Sequence, residues 1–296
     1  MSEITINLNE VLLKEAQGSL TNNDFTKVWT DVVMMPIYRI EYIITTSKHT
    51  ETGYDHDLAF YYGLLNRIRA FLCYERRIVC AQLMNFELSS ILSRTILEDN
   101  IALQYFLLHP EKLDDYRKSC FKAEMNFEDS VLKNRKERKE FDPAMYEWEE
   151  RLLRSVNRAY STIGMTSEQI RSIKLPKPPQ ILDMAREVDL EVMYTSYRLE
   201  CHSAHGDWFD ISRYFLEEKD GKFYPRFTED GADIRKLNPI QFIVYKTLSE
   251  FIKTIKGHGI DPAIEKDFDE DVKLIQALER MHFNFLNKMP LTMDVE

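Results

Sequence analysis

The sequence predicts an all-α protein, an irregular multi-helix bundle of long helices. Glycine supplies only 9 of the 296 residues, about 3% against a usual share near 7%. Because glycine is the residue that turns most often require, this shortage indicates few turns and long elements. Apolar residues also recur at i, i+3 and i+4 along most of the chain, which is the spacing of amphipathic helices.

The predicted elements follow from this spacing and from the residues that interrupt it. Asn9 caps the first short helix, Pro36 kinks or splits the second, and the third has a break near Tyr74. An extended start over residues 4–8 precedes them. In chain order, the predicted helices span about 9–16, 24–46, 58–108, 110–141, 143–163, 166–174, 190–205, 239–256 and 262–288.

Several of these helices carry recognisable start signals. A side-chain acceptor precedes a proline at Asp142–Pro143, Asn238–Pro239 and Asp261–Pro262, which is typical of the first helical turn. Thr166 and Gln169 have the spacing of a capping box.

We expect one helical domain over residues 1–296. Three prolines among residues 176–179 cannot continue a helix, so 175–179 is either a subdomain break or a rigid connector within the domain. The segment Leu190 to His205 is too apolar to fold without partners from the first half, which favours the connector. Residues 217–231 predict either a small β-hairpin or an ordered loop, since aromatic residues alternate there.

Composition limits the class of function. The net charge of −10 excludes a protein whose whole surface attracts a polyanion, although a local basic cleft remains compatible with it. The first ten residues lack a basic and then apolar signal, and no apolar stretch approaches 20 residues. We therefore expect a cytoplasmic protein without a membrane span. The four cysteines lack C-x-x-C spacing and predict reduced, buried thiols, and we expect no metal site and no cofactor.

The run 194–208 is the segment that best indicates chemistry. Residues at helical spacing define one buried stripe, namely Leu190, Met193, Tyr194, Tyr197, Cys201, Ala204 and Trp208. Arg198 and His205 are seven residues apart and project together from the shoulder of this stripe, and His202 projects farther round. An imidazole beside a cation suits acid–base chemistry.

An arginine followed by a histidine after six residues resembles the R-x(4–6)-H motif of the HEPN superfamily. The resemblance implies a metal-independent endoribonuclease of bacterial toxin or antiphage systems, acting as a homodimer with RNA in a composite cleft. In that role Arg198 stabilises charge on the phosphate, while His205, together with His202, moves protons.

A second pair of motifs has a closer layout. Arg94-x-x-x-Glu98, followed by Tyr197-x-x-x-Cys201-x-x-x-His205 and Gly206, is similar to an uncharacterised bacterial all-helical family of unknown function, over roughly residues 60–215. That resemblance implies that Arg94, Glu98, Tyr197 and His205 belong to one site. The apolar surroundings of Arg94 and Glu98 predict a buried pair, either structural or functional, with a weak surface pair as the alternative.

One basic run is a candidate substrate-binding surface. Residues 133–139 hold five basic residues in seven, including Lys133, Arg135 and Lys136. They form either an edge that contacts RNA or a solvated helix face, because glutamates are interleaved.

The functional hypotheses are therefore an RNA-cleaving homodimer and a non-catalytic helical module. The second would use the Arg/Glu/His cluster structurally and bind a protein partner. A third class is a small-ligand or nucleotide-binding protein, with Tyr194, Tyr197 and Trp208 as a stacking platform beside Arg198.

Overall fold

A computed structural model describes residues 6, 8–80, 86–138, 144–205, 208, 211–226, 238–255 and 259–291. Within these residues the protein is all-α, as predicted, and its only sheet is a two-stranded hairpin. The elements are α1 (Leu8–Ala16), α2 (Asn22–Val32), α3 (Met34–Thr46), α4 (His56–Cys80), α5 (Phe86–Leu108), a 3-10 turn (Pro110–Lys112), α6 (Leu113–Arg138), α7 (Glu147–Ser161), α8 (Ser167–Ser172), α9 (Ile181–Glu187), α10 (Glu191–His205), a π-helix (Ile211–Phe215), β1 (Leu216–Lys219), β2 (Lys222–Pro225), α11 (Asn238–Thr254) and α12 (Ile264–Leu286). No helix among the described residues is long and apolar enough to cross a membrane.

The chain divides into two compact units. Unit 1 comprises residues 1–108 and 181–296, and unit 2 comprises residues 109–180. The proline-rich segment 175–179 has no regular secondary structure and lies just before the second boundary. The interpretation of residues 1–296 as one domain stays a prediction.

Helix α5 is the central helix of unit 1. It packs against α4, α9, α10 and α11. Apolar residues cover most of its circumference, and Ile96, Ile101, Leu103 and Phe106 are fully buried. The side that carries Arg94 and Glu98 is the exception, since both are partly exposed. A helix with so broad an apolar surface is stable only when several helices pack around it, which explains its position.

The outer helices of unit 1 are joined partly by polar contacts. Arg39 on α3 donates to Asp271 on α12 at 2.9 Å and to Asp267 at 2.8 Å. The buried Tyr245 hydroxyl on α11 also donates to Asp271 at 2.9 Å. The carboxylate of Asp271 thus links three helices and has donors that compensate its burial.

Unit 2 consists of α6, α7 and α8 around a small core. Phe121, Val156, Tyr160 and Ile170 form that core. Beside it, Glu128 accepts hydrogen bonds from Tyr160, Ser167 and Arg171. The N-terminus of α8 has the predicted capping box, since Gln169 N donates to Thr166 Oγ1 and Thr166 N donates to Gln169 Oε1.

The predicted split near Pro36 is confirmed. The segment 24–46 forms two helices that separate at Val33, because Pro36 lies in the first turn of α3, where its missing N–H needs no partner. Other predicted boundaries were wrong. Helix α4 continues through Tyr74 without the predicted break. Asn9 does not cap α1, which begins at Leu8, and residues 181–187 form a helix that the sequence did not predict. Asp142–Pro143, Gly206 and most of the predicted extended start lie outside the described residues.

The hairpin alternative is confirmed for residues 216–225. The strands are antiparallel, with Leu216 opposite Pro225. Asp220 and Gly221 both have positive φ, 53° and 71°, as the tight Asp-Gly turn of a hairpin requires. Residues 227–231 of the predicted segment lie outside the described residues.

Two expectations about burial were also wrong. Trp208 is 61% exposed, because it packs edge-on against Phe223 of the hairpin, at 5.3 Å between ring centroids, rather than against the core. All four cysteines are free, but Cys80 and Cys120 are exposed rather than buried.

Candidate functional site

The seam between α5 and α10 brings together three of the residues that the motifs singled out. Arg94 Nη2 on α5 donates to Tyr197 Oη on α10 at 3.3 Å, and its guanidinium carbon lies 5.3 Å from the centroid of the Tyr197 ring. Arg94 also lies 3.8 Å from a carboxylate oxygen of Glu98, one helical turn away. The α5–α10 cluster, as we call Arg94, Glu98, Tyr197 and Cys201, therefore combines a cation–π contact with an ion pair.

This cluster lies at the surface. The side chains of Arg94 and Glu98 are 27% and 42% exposed, so the predicted burial of this pair was wrong. The reason is geometric: α10 covers only part of the α5 face that carries them, and the seam stays open to solvent. Arg94 Nε has no hydrogen-bond acceptor within the described part of the chain, although the atom is itself buried. Because this atom is buried, the unpaired donor does not face solvent.

The members of the cluster affect one another electrostatically. The hydrogen bond to Tyr197 is the largest cause that raises the pKa of Arg94, and Cys201 contributes in the same direction. Burial raises the pKa of Tyr197. Tyr194 stacks on Tyr197 with 5.6 Å between ring centroids. Arg94 is therefore a permanent cation held against a pair of stacked rings.

Arg198 and His205 lie on one exposed edge of α10, which we call the α10 edge. With 100° of rotation per residue, the order round the helix is Tyr197, Cys201, Tyr194 and then the α10 edge. The edge is therefore next to the α5–α10 cluster. His202 is half-buried and projects farther round. Within the described residues, no hydrogen bond or ion pair joins His205 to Arg94 or to Glu98. The structure thus brings three of the four predicted cluster members into contact and places His205 beside them.

The three predicted substrate-binding residues lie elsewhere in the fold. Lys133, Arg135 and Lys136 are on the last turns of α6 in unit 2, where Lys133 and Lys136 are exposed. Lys133 has an exposed partner, Glu137, at 3.8 Å. Their role in substrate binding stays a prediction.

Sequence reasoning missed a buried acidic pair in unit 1. Glu75 on α4 is 1% exposed and Glu200 on α10 is 8% exposed. Glu75 Oε1 accepts a hydrogen bond from Ser89 Oγ, and Glu75 Oε2 has no partner within the described residues. Burial, reinforced by the charge of Glu200, raises the pKa of Glu75 to about 8. Glu200 shares the apolar face of α10 with Met193 and Ala204. A carboxylate on an apolar helix face indicates a buried acidic group, and this pattern could have revealed the pair from the sequence.

Comparison with protein-family models gives a match over the region that carries these motifs. The model of a family of unknown function, DUF5677, matches residues 68–223, which is more than half of the chain. The chain belongs to DUF5677. Both motifs and the Glu75–Glu200 pair lie inside the DUF5677 match, so the predicted resemblance to an uncharacterised helical family is confirmed. The comparison gives no support to the HEPN likeness, which stays a prediction. No curated protein and no solved structure matches this DUF5677 chain.

The arrangement offers a specific set of chemical groups. The α10 edge supplies an imidazole and a guanidinium in contact with solvent, and the α5–α10 cluster supplies a second, partly exposed guanidinium and two stacked rings. Guanidinium groups bind phosphate oxygens, aromatic rings stack on bases, and imidazole transfers protons. Together these groups suit a ligand that carries both phosphate and base.

Proposed function

We propose that this DUF5677 protein is a metal-independent, HEPN-like endoribonuclease that acts as a homodimer, as toxin or antiphage effectors do. The observation that supports the proposal is the α10 edge, which holds Arg198 and His205 in solvent beside the Arg94–Tyr197 contact. His205 is the proton-transfer group and Arg198 the group that stabilises phosphate charge. Arg94 and Glu98 position Tyr197 and, through it, the neighbouring turn of α10.

The proposed reaction is an internal transfer on RNA. The 2′-oxygen attacks the adjacent phosphorus and loses its proton to a base, while the bond to the 5′-oxygen breaks and that oxygen receives a proton from an acid. The products are a 2′,3′-cyclic phosphate and a 5′-hydroxyl, and no oxidant or cofactor is consumed. One imidazole cannot be base and acid at the same moment, so two copies of His205 across a dimer supply both roles.

Exposed apolar side chains on α10 favour association with a second copy, on a face that lies about 120–140° round the helix from His205. Val192 and Leu199 are seven residues apart and are 76% and 57% exposed. Apolar residues that share an exposed helix face favour association, since pairing removes their surface from water. Leu199→Glu should therefore shift the purified protein toward monomer in light scattering and lower cleavage together with it.

We expect His205→Ala to lower cleavage by a factor on the order of 10²–10⁴, as loss of a general acid–base does. The measurement is cleavage of total tRNA and of short oligoribonucleotides with a chelator present, with the 2′,3′-cyclic phosphate identified by mass spectrometry. His56→Ala, an exposed histidine at the start of α4, is the matched control and should cleave like the wild type. Cleavage that is absent in the wild type, or equal in His205→Ala, would overturn the proposal.

A non-catalytic module that binds a protein partner is the second candidate. The observation that favours it is the same exposed pair, Val192 and Leu199, together with exposed Trp208. This candidate predicts no RNA cleavage by the wild type and a loss of partner capture in Leu199→Glu that His205→Ala does not share. The two candidates thus differ in wild-type cleavage and in His205→Ala, since Leu199→Glu lowers function under both.

A further inference from the structure

Helix α7 of unit 2 carries a row of arginines on its outer side. Arg151, Arg154 and Arg158 are separated by three and four residues, which places them on one helix face, and all three are exposed. We call them the α7 arginine face. They border an open, shallow surface region of α7 together with Ser155, Asn157 and Ser161.

The arginines have no packing role that would explain them. The opposite side of α7 carries Val156 and Tyr160, which are buried in the core of unit 2. Position along the helix explains only one arginine. A cation in the last turn is favoured by the helix dipole, which accounts for Arg158, but Arg151 lies in the second turn, where that effect is absent.

The positive charge of this face is only partly neutralised. Arg151 lies 4.0 Å from Glu147 and Arg154 lies 3.4 Å from Glu150, and both pairs are exposed and therefore weak. Arg158 forms no ion pair within the described part of the chain, and the residues four positions before and after it are Arg154 and Thr162. The carboxylates lie toward the N-terminal end, so the C-terminal half of the face is positive.

Unit 2 also differs in charge from the rest of the chain. Residues 109–180 contain 15 basic and 13 acidic residues, a net charge of +2, whereas the remaining residues carry −12. A polyanion that this protein binds must therefore contact local cations, and unit 2 is where they are in excess.

The donor groups define the ligand. Guanidinium and hydroxyl groups donate hydrogen bonds to phosphate oxygens, and the Asn157 amide adds further donors. From Arg151 to Arg158 the helix axis advances about 10 Å, which exceeds the size of one phosphate group and fits a chain of successive phosphates.

We propose that the α7 arginine face is a binding site for the phosphate backbone of single-stranded RNA. This inference rests on the proposed function and extends it, since it assigns substrate binding to a surface separate from the α10 edge. It also shifts the expected contact from Lys133, Arg135 and Lys136 on α6, whose run is interleaved with glutamates, to three arginines that share one face.

The test compares two triple variants of the full chain. R151Q/R154Q/R158Q removes the face, and K27Q/K219Q/K266Q removes three exposed cations of unit 1 as a matched control. The ligand is a fluorescein-labelled, 20-nucleotide 2′-O-methyl oligouridine, which cannot be cleaved through its 2′-oxygen. Binding is measured by fluorescence anisotropy at several salt concentrations between 50 and 200 mM.

We expect the α7 triple variant to raise Kd at least tenfold at 50 mM salt and the control to change it less than twofold. The slope of log Kd against log salt should fall by about 2, because three phosphate contacts are lost at roughly 0.7 each. Circular dichroism checks that both variants fold. Binding of the α7 variant within twofold of the wild type, or no binding by the wild type, overturns the inference.

The outcome separates this inference from the proposed function. If His205→Ala still cleaves RNA like the wild type while the α7 triple variant raises Kd at least tenfold, the catalytic proposal fails and the α7 site stands. If His205→Ala loses cleavage and the α7 triple variant binds normally, the catalytic proposal stands and the α7 site fails.

Discussion

Glu75→Gln is expected to stabilise the protein at pH 8 and to leave its stability almost unchanged near pH 4.5. Burial raises the pKa of Glu75 from 4.5 to about 8. The unfolded chain releases this proton near pH 4.5, whereas the folded chain keeps it until about pH 8. The unfolded state therefore binds fewer protons across that interval, and the free energy of unfolding falls as the pH rises. The loss is on the order of 4 kcal/mol.

Glutamine reproduces the protonated side chain. It keeps the carbonyl oxygen that accepts from Ser89 Oγ and carries no charge at any pH, so the variant avoids the cost of ionising a buried group. Stability should be measured by urea unfolding at pH 5, 6, 7 and 8. Burial also raises the pKa of Asp99, to about 7, so Asp99 makes the free energy of unfolding fall with pH as well. The informative quantity is therefore the difference in stability between wild type and variant at each pH.

Glu51→Gln provides the control, since Glu51 is an exposed loop residue. Its curve of stability against pH should run parallel to that of the wild type. The curve for Glu75→Gln should be flatter than both, and it should lie above them by a margin that grows from pH 5 to pH 8. Parallel curves for Glu75→Gln and wild type between pH 5 and 8 would contradict the assignment of a proton to Glu75 at neutral pH.

The sequence contained most of the information that defines the helices. The central position of α5 was predictable because apolar residues cover most of its circumference, and such a helix needs several packing partners. The start of α8 was predictable because the Thr166 capping box depends on neighbouring residues alone. The hairpin turn was predictable for the same reason, since Asp220 and Gly221 are adjacent. The exact residue at which the helix breaks near Pro36 did not follow from the sequence, because proline is tolerated throughout a first turn.

The candidate site was predictable only in part. The i, i+4 spacing of Arg94 and Glu98 and the position of Tyr197 follow from motifs, and the structure joins them. Their exposure does not follow, because it depends on how much of α5 the distant helix α10 covers. The proximity of Glu75 and Glu200 does not follow from the sequence either. They lie 125 positions apart and become neighbours only when α4, α5 and α10 pack together.

Arg94→Ala is expected to lower kcat for RNA cleavage about a hundredfold and to lower Tm by only about 2–4 °C. The stability cost is small because Arg94 is partly exposed, with one hydrogen bond to Tyr197 and a weak pair with Glu98, together worth about 1 kcal/mol. The catalytic cost is larger because Arg94 fixes the turn of α10 that precedes the α10 edge, and a displacement of about 1 Å at a reacting group costs about a hundredfold.

Measuring kcat and KM separately distinguishes a positioning role of Arg94 from a purely structural role. Since the α7 arginine face is proposed to bind the RNA, KM should stay within threefold in Arg94→Ala while kcat falls. Tyr197→Phe keeps the ring under the guanidinium and loses only the hydroxyl, so its kcat should lie between those of wild type and Arg94→Ala. Arg186→Ala, an exposed arginine that pairs with Glu191 at 3.0 Å, is the matched control and should retain kcat. An unchanged kcat in Arg94→Ala would show that the α5–α10 cluster has a structural role alone.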